Sequence, residues 1–404
     1  MAKRNGSACV ALFALAAVAA VAACSGNSSS GTPGIMPAAS LQSVAQAAGP
    51  EATPQNPYPI STGYTLKYDY NSKVVAQPSA APVQLSSTVG TVTTIIEGSA
   101  NFNGAPHIDA RSLMSVTFSN DNGNTTGSSQ KTTDDYESFD TVGSNLDYDL
   151  YGYVDNGTSS DSTGATTVSS DVDTYNDPFI LDQLPETAGA SWTTAVGFTA
   201  STSSQTTKNG SVTSQTVTTE SHGSDGSYMS QVTQTNGKGT YEVVKTQNSN
   251  GSGSEQNGGT GSQAGLTEWG TPSLSAGKYV IPVTYTPPNG KATTTNVPDW
   301  YPGNGKIGKL YTDGTKDVSL EIPIPKACGH SLAHKAAVKL AENTTFLDVI
   351  NGAYRTTETD RYVISGIGLV CTVHDRTTKT YDNLATGILQ RTEHETTVTG
   401  LKKV

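Results

Sequence analysis

The chain is short of charge. Only 15% of its 404 residues are Asp, Glu, Lys or Arg, against about 25% in ordinary globular domains, so Ser, Thr, Asn and Gln must wet the surface. Bases are scarcer than acids, 24 against 35, and the formal charge is −11. That balance argues against nucleic acid or anionic lipid surfaces as partners. The apolar run at the start, Val10–Val21, falls short of the roughly 20 residues that a membrane-crossing helix needs. Alternation of strands with helices is also missing, which excludes a parallel α/β sheet. Apolar residues are not lacking: 34% are hydrophobic and 41 are Gly, close to the usual share of about 45 to 50%.

The first residues, "MAKRNGSACVALFALAAVAAVAAC", place Lys3 and Arg4 before the apolar run and small residues after it, the layout of a secretory signal. Its ending, Val21-Ala22-Ala23-Cys24, resembles the lipobox of bacterial lipoproteins. The resemblance implies that residues 1–23 are removed and that Cys24 is acylated, its palmitate-type chains holding the protein to a membrane. Ser25 after the cysteine suits outer-membrane sorting in a Gram-negative cell of that family. Two or more acyl chains suffice for stable anchoring. Residues 24–57 begin "CSGNSSSGTPG" and read as a flexible tether.

Removal of the signal leaves 404 − 23 = 381 residues, enough for two or three units. Asn-Gly pairs recur at 103, 122, 156, 209, 236, 250, 257, 289, 304 and 351, and Asn-Gly between alternating segments marks a hairpin. "YTLKYDY" sets Tyr64, Leu66, Tyr68 and Tyr70 on one face, and "LMSVTFS" does the same with Met114, Val116 and Phe118. Such alternation is the mark of antiparallel sheet. The expected fold is all-β: antiparallel meander sheets forming a sandwich or curved half-barrel. Helices are expected only at "LQSVAQAA" and near 331–342. "PISTGYTL" (59–66) and "PETAGASW" (185–192) share the pattern Pro-x-x-x-Gly-x-x-large apolar. They suggest a first β unit over 58–183 and a second over 184–325, followed by a C-terminal β segment over 326–404. The stretch 248–265, rich in Gly, Ser and Asn, is expected to be a disordered loop.

Between Asp121 and Glu186 fourteen carboxylates face one base, Lys131. Such a field could attract Ca²⁺. "SNDNGNTTG" (119–127) has the outline of the Asp-box turn of sialidase-type propellers, but a solvated hairpin turn accounts for it more simply.

"CGHSLAHKAAVKLA" (328–341) supports three readings. Ser331 stands as the nucleophile of a lipase turn would, with Asp348, Asp360, His374 and His394 downstream; that turn needs a strand before the Ser and a helix after it, and Pro323 and Pro325 spoil the strand. Cys328, His330, His334, Cys371 and His374 could make a zinc site, except that Cys371 and His374, three apart in a strand, point to opposite faces. The third reading is a disulfide. With Cys9 lost in the signal and Cys24 acylated, Cys328 and Cys371 remain as a pair in an oxidising compartment. "TDRYVISGIGLVC" (359–371) is similar to the closing element of poorly characterised secreted bacterial β-proteins, with Gly366 and Gly368 permitting a bend.

No catalytic residue, metal or cofactor is assigned. The function expected is that of a non-enzymatic, membrane-anchored extracytoplasmic lipoprotein with an envelope structural role or one in binding protein, glycan or lipid. Two alternatives are a lipid carrier resembling the LolA/LolB type, which needs a continuous apolar concave face, and a glycan-active enzyme, which needs paired carboxylates in a cleft.

Overall fold

The computed structural model describes Tyr58 and residues 61–120, 122–143, 145–193, 196–225, 227–259, 262–271, 273–275, 278–298, 311–329, 331–348, 353–381 and 388–402. Cys24, the tether and "LQSVAQAA" lie outside the described residues. The chain forms β1 (Thr65–Pro78), β2 (Gln84–Phe102), β3 (Ala105–Asn120), β4 (Thr125–Val142), β5 (Asn145–Asp161), β6 (Ala165–Leu184), β7 (Ser191–Thr193), β8 (Phe198–Lys208), β9 (Ser211–His222) and β10 (Tyr228–Asn236). There follow β11 (Gly239–Gln247), β12 (Gly253–Gly259), β13 (Ser262–Trp269), β14 (Ser273–Ser275), β15 (Lys278–Thr286), β16 (Thr293–Pro298), β17 (Tyr311–Pro323), β18 (Ala336–Asp348), β19 (Ala353–Ile364), β20 (Gly368–Tyr381) and β21 (Leu389–Leu401).

All pairings are antiparallel, as the alternating sequence requires. From β2 each strand pairs with the next through β6; β6 skips to β8, and the meander continues to β13, β15 and β16. β1 lies between β2 and β21, joining the start of the sheet to β20, β19, β18 and β17. Among the described residues no pairing joins β16 to β17, and the sheet is an open curled roll, not a closed barrel.

The turns follow local chemistry. Asn103-Gly104 and Asn209-Gly210 take positive φ at both residues (50° and 84°, 52° and 75°), the geometry of a two-residue hairpin turn. At 120–124 the Asn120 side chain accepts from the amides of Asn122 and Asn124, so this stretch is a hairpin turn. Asn156-Gly157 instead lies inside β5, laddered to β4 and β6. Gly366 and Gly368 both take positive φ at the β19–β20 bend.

The two Pro-x-x-x-Gly segments fold alike. Gly63 N–H donates to Ile96 O and Tyr64 N–H to Ser61 O; Gly189 N–H donates to Val318 O and Ala190 N–H to Thr187 O. Tyr58 and Leu184 before the turns, and Leu66 and Trp192 after them, are all buried. One turn leads into β1 and the other into β7, which leaves the β6 edge to pair with β17.

The main core lies inside the roll, where Tyr68, Phe139, Tyr148, Leu184, Leu340 and Val370 are among its buried members. Phe139 stacks on Tyr148 at 4.8 Å. A smaller core of Trp269, Ile281, Val283 and Val297 serves β13, β15 and β16 and touches Tyr354 of β19 and Tyr381 of β20.

Two expectations are corrected. Residues 331–342 are not helical: after a short 3₁₀ turn, Lys326–Cys328, residues 331–334 form turns and β18 begins at Ala336. Gly329 (φ 119°) and His334 (φ 67°) lie outside helical space, and pairing between β17 and β19 overrides the helix preference of Ala and Lys. Nor is 248–265 a structureless loop. Residues 248–252 make a turn closed by Asn248 and Ser252, and β12 and β13 pair with each other. Gly253 is required there, since a Cβ would meet the Trp269 ring at 2.5 Å, and Trp269 Nε1 donates to Gly251 O at 3.0 Å.

Candidate functional site

The residues singled out in the sequence come together only in part. Cys328 and Cys371 are bonded to each other, with Cα atoms 5.6 Å apart, and both are buried. The bridge fastens the 3₁₀ turn to β20 beside β21, where Gly400 leaves no room for a side chain, its Cβ position being 2.2 Å from Cys328 O. With both thiols so engaged, the zinc set is dissolved. His334 is exposed, His330 lies outside the described residues, and His374 pairs with the Thr359 hydroxyl at 3.0 Å. Burial, then Arg376, Arg361 and Arg355, push the His374 pKa down to about 4. Ser331 sits exposed in the turn before β18, so the strand, nucleophile and helix of a hydrolase elbow do not form around it.

The acidic stretch, read from sequence as a field that could attract Ca²⁺, is in large part buried. Thr133, Asp135, Glu137 and Phe139 alternate along β4 and all four are buried. Register then assembles rows across the inner face. Ala110, Asp135, Tyr153 and Asp173 form one row, and Ser112, Thr133, Asp155 and Asp171 form the next. Tyr153 donates to Asp173 at 2.6 Å, Thr202 to Asp171 at 2.7 Å, and Lys131 pairs with Asp155.

At the base of the roll, sequence reasoning missed a second polar centre. Lys316 of β17 is fully buried; its Nζ donates to the carbonyls of Ile180 (2.8 Å) and Leu181 (3.1 Å), lies 4.5 Å over the Phe179 ring and stands 3.9 Å from Glu342. Arg361 also pairs with Glu342, at 3.1 Å. Burial draws the Lys316 pKa down to about 7. Close by, Tyr58 donates to Asp182 at 2.6 Å and packs on Tyr148; burial, then Glu186, raise Asp182 to about 7. The available signal was phase: Lys316 alternates with Val318, and a charge in step with an apolar residue belongs on the inner face.

The outer face of β2–β6 and β8–β9 holds a groove of about 970 Å³. One row across it runs Thr91, Ser115, Gln130, Thr158, Val168, Gln205 and Gln215, and the next runs Thr93, Leu113, Thr132, Asn156, Ser170, Ser203 and Val217. Hydroxyls and amides dominate, Leu113, Val168 and Val217 stand exposed among them, and no carboxylate lines the groove. The groove is therefore not a continuous apolar surface. These rows rest on strands in the middle of the sheet, which fixes their spacing.

The sequence matches no protein-family model and no curated protein. Among solved structures it is similar to CdiB from Acinetobacter baumannii, at 9% identity and TM-score 0.24, over 83% of this chain and 60% of that one. It is also similar to the translocator domain of the autotransporter NalP from Neisseria meningitidis, at 8% identity and TM-score 0.22, over 98% of this chain and 99% of that one. The beta domain of the Bordetella autotransporter BrkA is a third, at 6% identity and TM-score 0.19, over 83% of this chain and 98% of that one. The chain thus spans 60% of the length of CdiB, and at these scores the likenesses bear on neither fold detail nor activity.

Proposed function

We propose that the protein is a non-enzymatic binding protein of the bacterial cell envelope, held to the membrane through acylated Cys24, which receives an extended, uncharged glycan in the outer groove. The observation that carries this reading is the groove lining: two parallel rows of hydroxyls and amides, with three isolated aliphatic side chains, in a chain whose net charge is −11. A neutral polymer rich in hydroxyls exchanges hydrogen bonds with such a surface, whose charged lining residue, Lys131, is already paired with Asp155. The sequence supports the anchor through its basic start, apolar run, lipobox and polar tail. Tyr58, which follows the tether in sequence, is buried and donates to Asp182. No carboxylate lines the groove, so it offers no acid and base pair with which to cleave a glycosidic bond.

The test uses the full chain in detergent and its Thr132→Glu and Ser170→Glu variants, titrated with neutral oligosaccharides. Binding that falls at least about tenfold, or 1.4 kcal/mol, in both variants is expected. Failure of every neutral oligosaccharide to bind, or equal binding by the variants, refutes the assignment. Membrane fractionation of Cys24→Ala tests the anchor separately, and membrane association equal to that of the wild type would reject it.

A further inference from the structure

We propose that the inner wall of β4, β5 and β6 is held together by protons, so that the roll is tightest in mildly acidic surroundings and loosens as those protons leave. The inference is independent of what the groove binds. Asp135, Asp155, Asp171 and Asp173 stand on adjacent rows of one face and are 1 to 7% exposed. A carboxylate so buried must be neutralised by a cationic side chain, a metal ion or a proton.

Cationic side chains are too few. Lys131 pairs with Asp155, and Arg111, on the opposite face of β3, pairs with Asp134 and Glu97. The other charged groups that act on the wall, Asp109 from β3, Asp134 from β4 and Glu220 from β9, are acidic. Among the described residues no three His, Cys, Asp or Glu side chains are grouped to hold a metal ion. The proton remains. Both oxygens of Asp135 are buried without a hydrogen-bond partner, as is one oxygen of Asp173, which suits neutral carboxyls and not ions.

Burial raises Asp135 well above the ordinary range, Asp171 upward, and Asp173 to about 8 with help from Asp171. The folded chain therefore keeps protons that the unfolded chain gives up near pH 4. Their stabilising effect is complete at the acid end of that interval and is lost as pH climbs toward 8. Above it, like charges occupy neighbouring strands in a space that water must enter.

Thermal unfolding of the full chain in detergent at pH 5 and pH 8, with and without calcium chloride, is the test, run beside Asp135→Asn and Asp173→Asn. The wild type is expected to melt at least about 5 °C lower at pH 8, with a visibly smaller difference in each variant. A wild type no less stable at pH 8, or variants that show the full difference, would overturn the proposal. So would calcium restoring the wild type at pH 8 but not the variants, since the wall would then be a cation site. Carboxyl ¹³C shifts of the wild type read the same protons should a variant fail to fold: Asp135 protonated at pH 6 is expected, and Asp135 ionised at pH 5 rejects the wall.

Discussion

β3–β6 and β8–β11 belong to one antiparallel ladder with the same hydrogen-bond pattern, yet they are different materials. In the first group the inward residues are Phe139, Tyr148, Phe179 and Leu184, together with buried acids. In the second, β8 and β9 alternate between exposed and half-buried along nearly their whole length, and Val212, Val217, Met229 and Tyr241 lie open to solvent. Ser and Thr satisfy strand preference in both. The difference shows that a ladder sets direction and register while buried side chains set stiffness. Among the described residues, β8–β10 are tied to β6 by Phe198, His222 and Tyr228, which pack on one another beside Tyr175 and Phe179, while the core around Trp269 packs on Tyr354 and Tyr381.

Four variants and one titration can break or sharpen this contrast. Glu342→Ala strands Lys316 and Arg361 in the base of the roll and should cost up to about 5 kcal/mol, as removing one partner of a buried pair does; chemical denaturation measures it, and a loss below about 1 kcal/mol would mean that water already reaches the site. Replacing Cys328 and Cys371 by Ser opens a separation of 43 residues and should cost about 4 kcal/mol in the chain-entropy model, read in the same assay. Trp269→Ala should cost about 3 kcal/mol but locally: hydrogen exchange should quicken in β12, β13 and β15 while β3–β6 keep their protection, and uniform loss would contradict two materials in one sheet. The ion pair between Lys245 and Glu255, 3.8 Å apart across β11 and β12, should matter least; Glu255→Ala is expected to change stability by less than about 0.5 kcal/mol.

The titration concerns His374. Burial lowers its pKa to about 4, so the folded chain prefers the neutral ring. The contribution is present above the ordinary value near 6.5 and is lost as pH falls toward 4, opposite in sign to that of the acids on β4–β6. Imidazole ¹⁵N shifts should show a neutral ring at pH 5, and a ring that protonates near pH 6.5 would exclude its burial.

Much of this was legible. Alternation in "YTLKYDY" set the buried face of β1, Asn-Gly at 103 and 209 marked turns, and the paired cysteines marked a bridge. The Pro-x-x-x-Gly echo found two turns closed by matching hydrogen bonds. Illegible were the features decided by neighbours far away in sequence. "AAVKLAE" reads as helix by preference until β17 and β19 claim it. "GSEQNGG" has nothing to bury, and forms a strand because β11 and β13 satisfy its backbone and Gly253 admits the Trp269 ring. The acids were counted correctly but not placed on a face, because net charge carries no direction. Phase did: Asp135 and Glu137 keep step with Phe139. The groove gave no signal at all, since hydroxyl-rich outward positions look alike whether the sheet beneath them is flat or curved.

The pairing of β1 with β21 has a temporal consequence. Tyr68 bonds to Leu369 across 301 positions and Ser72 to Glu395 across 323, so the first strand to emerge from a ribosome or a translocation channel waits for the last before both of its edges are filled. Until then Tyr68 has no wall to enter and the roll has no reason to curl. Closing so long a loop costs entropy that only the completed core returns. A chain built this way fills both edges of its first described strand only when its last is in place.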